Sequence, residues 1–459
     1  MKITLIYPRP TDTPQKLFSS TPLMNVLKSF LGLGEMNFTP PLSLLMLAAV
    51  TPPEVQIRFV DERLDEINFD EPTDLVGISV LTKMAPRAYR IADEFRRRGS
   101  AVVLGGVHAS VMPQEARTHA DAVVVGEGEK AWAQIISDFQ RGALEPIYHG
   151  GHDADLSQLP RPRRDVIPHP ERYVTGKVVF ASRGCPNGCA FCSAGTAVGK
   201  RYRTRPVHQV IDELNSLPGK FAYFADDNLG WDVQYAKALF NALVPLKIRW
   251  AGELSLSALE DVELVELLAR SGCVALGVGF ESLSPQVLAA IRKNQTNDPA
   301  RYPELVRRLH HFGIPILGHF IIGFDGDDAT IFDALIDFIT ANAIEMPSIA
   351  TLIPYPGTTL YRQFDREGRI LHKDWSLYDT IADNLVYQPK QLDAKQLADG
   401  YVRLAQKLYS TRAALGRVAR AHTAFPTGAV TAVHYNLTSS ASVKQDFQAM
   451  DVMRAKAVA

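Results

Sequence analysis

Short, almost uninterrupted apolar runs alternate with helical stretches twice along this chain, and that alternation restricts the fold more than any other feature. The first series holds KITLIYP from Lys2, a helix around residues 42–49, VQIRFVDE, DLVGISV, a helix over residues 87–98, AVVLGG and AVVVGEGE. Strands that are apolar on both sides need cover on both faces, which predicts a doubly wound parallel sheet with helices packed on each side. Residues 150–175 then turn Pro-rich and polar, with Leu159-Pro160-Arg161-Pro162-Arg163-Arg164 and Pro168-His169-Pro170, the texture of an extended linker. A second series follows through KVVFASRGC, FAYFADD, IRWAGEL, VALGVGFES, IPILGHFIIGF and IATLIPYPGT, with helices predicted over residues 207–217, 261–269 and 302–312. Six such units are too few to close an eightfold TIM barrel. They predict an open, partial (β/α)6 barrel whose chemistry sits at the carboxyl ends of its strands. Beyond Gly357 the pattern is mostly helical, with residues 394–410 an amphipathic candidate. The expected division is therefore 1–149, a linker at 150–175, a barrel at 176–357 and a mostly helical region at 358–459.

Composition narrows the partners. A formal net charge of -1 over 459 residues gives no field that draws in nucleic acid or an anionic membrane surface. The apolar run at the start is shorter than a secretory h-region, and no stretch reaches the ~18 apolar residues of a membrane span, so a cytoplasmic protein without a transmembrane segment is expected. Only four cysteines occur, three of them between Cys185 and Cys192, which favours metal ligation over a disulfide framework.

Cys185-Pro186-Asn187-Gly188-Cys189-Ala190-Phe191-Cys192 has the spacing C-x3-C-x2-C directly after a predicted strand, on a loop of Gly and Pro that can wrap a compact inorganic core. Iron–sulfur clusters ordinarily take four thiolates. Three leave one iron open, and an open position makes a metal centre catalytic instead of structural. A zinc knot would need a second cysteine pair, which the chain lacks.

With an aromatic residue before its third cysteine, this motif resembles the signature of radical S-adenosylmethionine (SAM) enzymes. The resemblance implies a [4Fe-4S] cluster on Cys185, Cys189 and Cys192, whose open iron chelates SAM and whose electron yields a 5′-deoxyadenosyl radical. It places Phe191 beside the adenine, and Asp226 and Asp227 of Ala225-Asp226-Asp227-Asn228 near the methionine ammonium. Glu253 and Ser255 follow the third strand, and Glu281 follows Gly277-Val278-Gly279-Phe280, positions suited to the ribose hydroxyls; an ion pair of Glu281 with an arginine such as Arg183 is the alternative. Gly318 of GHFIIG and Tyr355 of PYPGT match the fifth and sixth strands. His319 reads as a satisfied core histidine, and Cys273 as a buried inert thiol.

In the first series, Gly105-Gly106-Val107-His108 and Gly126-Glu127-Gly128-Glu129 each follow a buried strand. Singly these are ordinary turns. Together with the barrel they resemble the cobalamin-dependent branch of the superfamily, which implies an N-terminal Rossmann-like cobalamin-binding domain. Gly105, Gly106, His108, Gly126, Glu127 and Gly128 are then its contacts, with Thr82 and Lys83 facing the cobalt side. No Asp-x-His-x-x-Gly motif is present, Val60-Asp61-Glu62-Arg63 being different, so a base-off cobalamin without a histidine ligand is expected. The stretch from Pro356 through Glu367-Gly368-Arg369 to Trp375 resembles the C-terminal region of hopanoid-methylase-like members.

The resemblance implies a methyltransferase acting on an unactivated carbon of a small-molecule, lipid or tetrapyrrole substrate. One SAM supplies the methyl group through cobalamin, a second supplies the radical, and a donor such as flavodoxin or ferredoxin supplies electrons. Cyclisation, rearrangement or oxidation without methyl transfer is the second enzymatic reading, and a non-catalytic cobalamin or redox sensor the third. A methylthiotransferase would need another cysteine trio and a basic RNA-binding tail, and neither exists. Trp375, Tyr378 and Tyr387 are candidates for an apolar pocket or for helical core.

Overall fold

The computed structural model describes residues 1–10, 39–379 and 385–421. By their internal contacts these residues form two compact units: 1–10, 39–219 and 354–379 in the first, 220–353 and 385–421 in the second.

The first unit is built on β1 (Lys2–Tyr7), α1 (Leu42–Val50), β2 (Gln56–Asp61), β3 (Leu75–Ser79), α2 (Ala85–Arg97), β4 (Ala101–Gly105), α3 (Val107–Val111), α4 (Pro113–Thr118), β5 (Ala122–Gly126), α5 (Gly128–Gln140) and β6 (Ile147–Gly151). All six strands run parallel in the order β2-β1-β3-β4-β5-β6. The expected doubly wound sheet is present, in the flavodoxin-like order whose switch point lies at the carboxyl ends of β1 and β3. β3 is buried along its whole length. α2 and α5 are amphipathic; α2 turns Ala88, Ile91, Ala92 and Phe95 inward, and α5 turns Ala131, Trp132, Ile135 and Ile136. Trp132 is buried, and its indole N–H donates to Thr51 Oγ1 at 2.8 Å. β6 carries Ile-Tyr-His-Gly-Gly, too polar and glycine-rich for its pattern to register as a strand.

The Pro-rich stretch after β6 holds only single 3₁₀ turns and is tied to this unit. Tyr173 is buried with its hydroxyl donating to Asp61 Oδ2 at 2.9 Å, and Arg172 reaches Asp65 at 2.6 Å. Next come β7 (Val178–Val179), β8 (Ser182–Arg183), α6 (Ala194–Ala197), β9 (Arg203–Thr204) and α7 (Val207–Ser216). KVVFASRGC thus forms two short strands instead of one, because β8 turns to pair antiparallel with β9, Ser182 opposite Thr204 and Arg183 opposite Arg203.

The second unit contains β10 (Phe221–Phe224), α8 (Val233–Leu243), β11 (Arg249–Leu254), α9 (Val262–Arg270), β12 (Cys273–Glu281), α10 (Pro285–Ala290), α11 (Tyr302–His311), β13 (Ile316–Ile322), α12 (Ile331–Ala341) and β14 (Met346–Thr351). Its strands lie parallel in sequence order, as an open βα barrel requires. Asp232, Asp261 and Ser284 cap α8, α9 and α10 from the loops at the strands' carboxyl ends. After β14 the chain returns to the first unit as residues 354–379, including α13 (Thr359–Arg366). It ends, among the described residues, on α14 (Ala394–Leu408), started by an Asp393–Gln396 capping box, and α15 (Thr411–Arg420). Trp375, Tyr378 and Tyr387 are all core.

Tyr387 donates to the Gly323 carbonyl in the loop after β13, where Asp327 accepts from the N–H groups of Gly323 and Phe324 at 2.9 and 3.0 Å. Burial raises the Asp327 carboxyl to about 6; the N–H bonds from Phe324 and Gly323 oppose this, and Asp328 and Asp325 add a smaller rise. An unfolded chain titrates that group near ~3.9. Between about pH 4 and 6 the folded state therefore binds more protons, and stability falls as pH rises through that window. Asp327→Asn keeps an acceptor and removes the charge, so it should stabilise the protein by on the order of 2–3 kcal/mol at neutral pH and hardly at all near pH 4. Urea midpoints of both proteins at the two pH values check this.

Candidate functional site

The cysteine loop joins β8 to β9. Cys185 and Cys189 are half-buried and Cys192 is exposed. The loop is cinched from within, Cys185 N–H donating to the Gly199 carbonyl and Cys192 N–H to the Cys189 carbonyl, each at 3.3 Å. Among the described residues no three His, Cys, Asp or Glu side chains are grouped as ligands of a single ion. Three cysteines on one loop are the kind of ligand set that an iron–sulfur cluster takes. Phe191 stands half-buried on the same loop.

A buried carboxylate holds the base of this loop. Glu127 accepts both Arg203 Nη atoms, at 2.8 and 2.9 Å, and Arg183 Nη1 at 3.2 Å; Arg183 Nη2 also reaches Glu129 at 2.6 Å. Burial alone would raise the Glu127 carboxyl, but Arg203 and Arg183 outweigh it and hold the group below its ordinary value. Arg183, the partner considered above for Glu281, is therefore committed to Glu127 and Glu129. Glu127, expected at the cobalamin, is engaged by arginines of β8 and β9.

The candidate cobalamin contacts gather at the carboxyl edge of the first sheet. Gly106 has a φ of 91°, and a Cβ there would meet Val80 N at 2.8 Å, so the turn itself demands glycine. Gly126, with a φ of 92°, is pressed against the Gly151 backbone in the same way. Gly105 ends β4 and Gly128 opens α5. Thr82 is buried, Lys83 pairs with Asp379 at 3.2 Å, and Leu81 beside them is an exposed apolar residue at the switch point. His108 is fully buried. Its Nε2 lies 3.3 Å from Glu115 Oε1, which also accepts from Tyr89 Oη at 2.9 Å and Trp375 Nε1 at 2.8 Å. Burial pushes the Glu115 carboxyl up, yet these three donors win and keep it low. With Nε2–H turned to Glu115, His108 Nδ1 is left as a buried atom with no hydrogen-bond partner among the described residues. An orphaned imidazole nitrogen beneath the edge and an apolar Leu81 on it fit a corrin with its amide arms.

Residues 354–379 tie these parts together. Leu360 N–H donates to the Ala190 carbonyl on the cysteine loop at 2.8 Å, and Trp375 lies edge-on to His108 with centroids 5.2 Å apart. Tyr355, half-buried here, has its phenol pushed up to about 12 by burial, with Asp379 adding to it.

In the second unit the remaining candidates cluster at the carboxyl ends of β10 to β13. Asp226 is buried, and Asp227, though open to water, is walled by protein that desolvates it and raises its carboxyl. Ser255 is buried and bound to Asn228, whose Oδ1 accepts from Ser255 N–H at 3.1 Å. Glu281, at a φ of 63° where β12 shifts register against β13, pairs with Lys293 at 3.4 Å. Gly318 is set by packing, since a Cβ there would touch Ile344 Cγ2 at 3.0 Å. Cys273 is buried and its thiol pushed up by desolvation, the inert residue expected. His319 differs from its core reading: its side chain is 34% exposed and its Nε2 lies 3.2 Å from Glu253 Oε2.

Family models match along the chain in the same order: a B12 binding domain over residues 37–136, the Radical SAM superfamily over 179–339, and a domain of unknown function over 358–450. The chain is 33% identical over 389 residues to the bacteriochlorophyllide d C-12(1)-methyltransferase of Chlorobaculum tepidum, covering 82% of this chain and 84% of that one. It is 32% identical to the bacteriochlorophyllide d C-8(2)-methyltransferase of that organism, covering 74% and 79%. Its fold matches the solved radical S-adenosylmethionine methyltransferase TsrM from Kitasatospora setae with a TM-score of 0.64, at 19% identity over 80% of this chain and 76% of that one. The chain belongs to the cobalamin-binding, methyltransferase-like branch of the radical SAM superfamily. It is an enzyme, and its cofactors are a [4Fe-4S] cluster, SAM and cobalamin. Its chemistry consumes electrons from a reductant, and among the described residues no helix is long and apolar enough to cross a membrane.

Removing the Glu127 charge leaves buried Arg203 without its carboxylate and Arg183 with Glu129 alone at the foot of the cysteine loop. Glu127→Gln is expected to cost about 3–5 kcal/mol of stability and to lower the iron retained per chain after reconstitution. Chemical denaturation and iron analysis measure the two effects separately.

Proposed function

We propose that this enzyme transfers a methyl group from SAM to an unactivated carbon of a cyclic tetrapyrrole, with Cys185, Cys189 and Cys192 holding the radical-generating cluster. The observation that carries the substrate class is that two relatives above 30% identity, each spanning about three quarters or more of both chains, act on bacteriochlorophyllide d. When bound, the cluster and cobalamin supply, respectively, the electron that cleaves SAM and the carrier of the methyl group. Leu81, Gly105 and the unpartnered Nδ1 of His108 would hold the corrin, with Thr82 and Lys83 beside it. Phe191, Asp226, Asp227, Glu253, Glu281, Gly318 and Tyr355 are assigned to SAM, with Ser255 steadying its strand end. The assigned segments are 1–149 for cobalamin, 150–175 as connector, 176–357 for the radical chemistry and 358–459 as the C-terminal region. Cysteine use supports a cytoplasmic location, and a flavodoxin or ferredoxin is the proposed donor.

Reconstituted enzyme given cobalamin, reductant, bacteriochlorophyllide d and SAM with a deuterated methyl group is expected to form S-adenosylhomocysteine and 5′-deoxyadenosine in equal amounts and to place the label in the product. 5′-Deoxyadenosine alone would mean a radical reaction without methyl transfer. No SAM cleavage with an intact cluster would mean a sensor. Label passing to a hopanoid or another lipid, and not to the tetrapyrrole, would overturn the substrate class.

Changing Cys185, Cys189 or Cys192 to Ala is expected to abolish SAM cleavage while the cobalamin absorption of the loaded protein persists. Cleavage surviving any one of these changes would remove that residue from the cluster.

A further inference from the structure

Two carboxylates in the second unit each rest on a glycine of β12. A Cβ at Gly277 would overlap the Glu253 carboxylate, and one at Gly279 would overlap that of Glu281. Each also meets a cation: His319 Nε2 lies 3.2 and 3.3 Å from the two Glu253 oxygens, and Lys293 Nζ lies 3.4 Å from Glu281 Oε1. The pairs differ in access: Glu281 and Lys293 side chains are 9% and 12% exposed, whereas Glu253 and His319 are 30% and 34% exposed, so the Glu253–His319 pair is the more open of the two to a ligand. An imidazole N–H straddling both oxygens still leaves lone pairs on each for a second donor or cation.

We propose that His319 is a positioning residue for SAM: its Nε2–H holds the partly exposed Glu253 carboxylate on the Gly277 seat to receive the cationic cofactor. This rests on the reading of Glu253 as a SAM contact. SAM carries a sulfonium and an ammonium against a single carboxylate, so it competes with an imidazolium for Glu253 but not with a neutral imidazole, whose N–H still orients the carboxylate. Facing His319 are Glu253 from β11, Glu281 from β12 and Lys293 beyond α10, while Tyr223 of β10 lies near Glu253 and near Asp226 and Asp227 of the loop that follows it. Burial pulls the His319 pKa down, but Glu253 outweighs burial, Glu281 adds to the rise and Lys293 opposes it, leaving the group above the ordinary histidine value. SAM binding relieves the Glu253 pairing that raises the imidazole's affinity for a proton, so binding is coupled to proton release and tightens as pH rises through the titration of that group.

The test is titration calorimetry of SAM into anaerobic, cluster-loaded protein, in two buffers of different ionisation enthalpy across that range. Wild type is expected to release a proton on binding. His319→Gln, whose amide N–H can still hold Glu253, should bind within a few fold of wild type at neutral pH and release none. Gly277→Ala, which unseats the carboxylate, should weaken binding by about tenfold or more, the worth of a charge-assisted contact. Proton release unchanged in His319→Gln would overturn the role of His319. Unchanged affinity in Glu253→Gln would overturn the assignment of Glu253 beneath it, so the two failures are distinct. Unfolding curves of each variant confirm that a loss of binding is not a loss of fold.

Discussion

Glu127 is the carboxylate on which the arrangement of the first unit turns. It stands at the carboxyl end of β5 and grips Arg203 and Arg183, the strand residues on either side of the cysteine loop. A buried ion cluster of this kind adds little net stability over an apolar replacement, because desolvation offsets most of the attraction, but its geometry is exacting. What it fixes is position. The loop that carries three thiolates starts and ends on side chains anchored to the sheet whose edge presents the cobalamin candidates, so both sets of groups are referenced to one rigid body.

The same economy recurs elsewhere. Glu115 gathers an imidazole, a phenol and an indole on one oxygen, Glu253 takes an imidazole, and Glu281 takes an ammonium. In each case a carboxylate on the carboxyl side of its sheet meets nitrogen or hydroxyl donors from elsewhere in its own unit. A group taken from water recovers its hydrogen bonds only where such donors converge.

The sequence revealed those parts of the molecule governed by local pattern. Continuous apolar runs announced β1 to β5 and β10 to β14, because burial on both faces leaves no polar alternation to confuse the reading. The cysteine trio was equally legible, its three members falling within eight positions. β6 escaped because Tyr148, His149 and two glycines blur an edge strand, and β8 was merged with β7 because its antiparallel partner lies a whole loop away. The partners of Glu127 are 56 and 76 residues distant and that of Glu253 is 66, separations that no spacing rule reaches. The pairing of His319 with Glu253 and of Glu127 with its arginines was consequently not legible. The glycines of the first sheet were noticed correctly, but the backbone of Val80 and Gly151 accounts for two of them without any ligand.

The return of residues 354–379 to the first unit carries a consequence for how the protein can be made and altered. The chain lays down the first sheet early, then builds the second unit's strands before Trp375 arrives to satisfy Glu115 and Leu360 to bond the cysteine loop. The first unit is therefore discontinuous in sequence, and on the ribosome its final contacts wait until the 134 residues of 220–353 have emerged. Contacts so distant in sequence close late and slowly, which leaves the early sheet edge exposed in the interim. A cobalamin segment cut from this chain as a free-standing module would lack its own closing piece, residues 354–379.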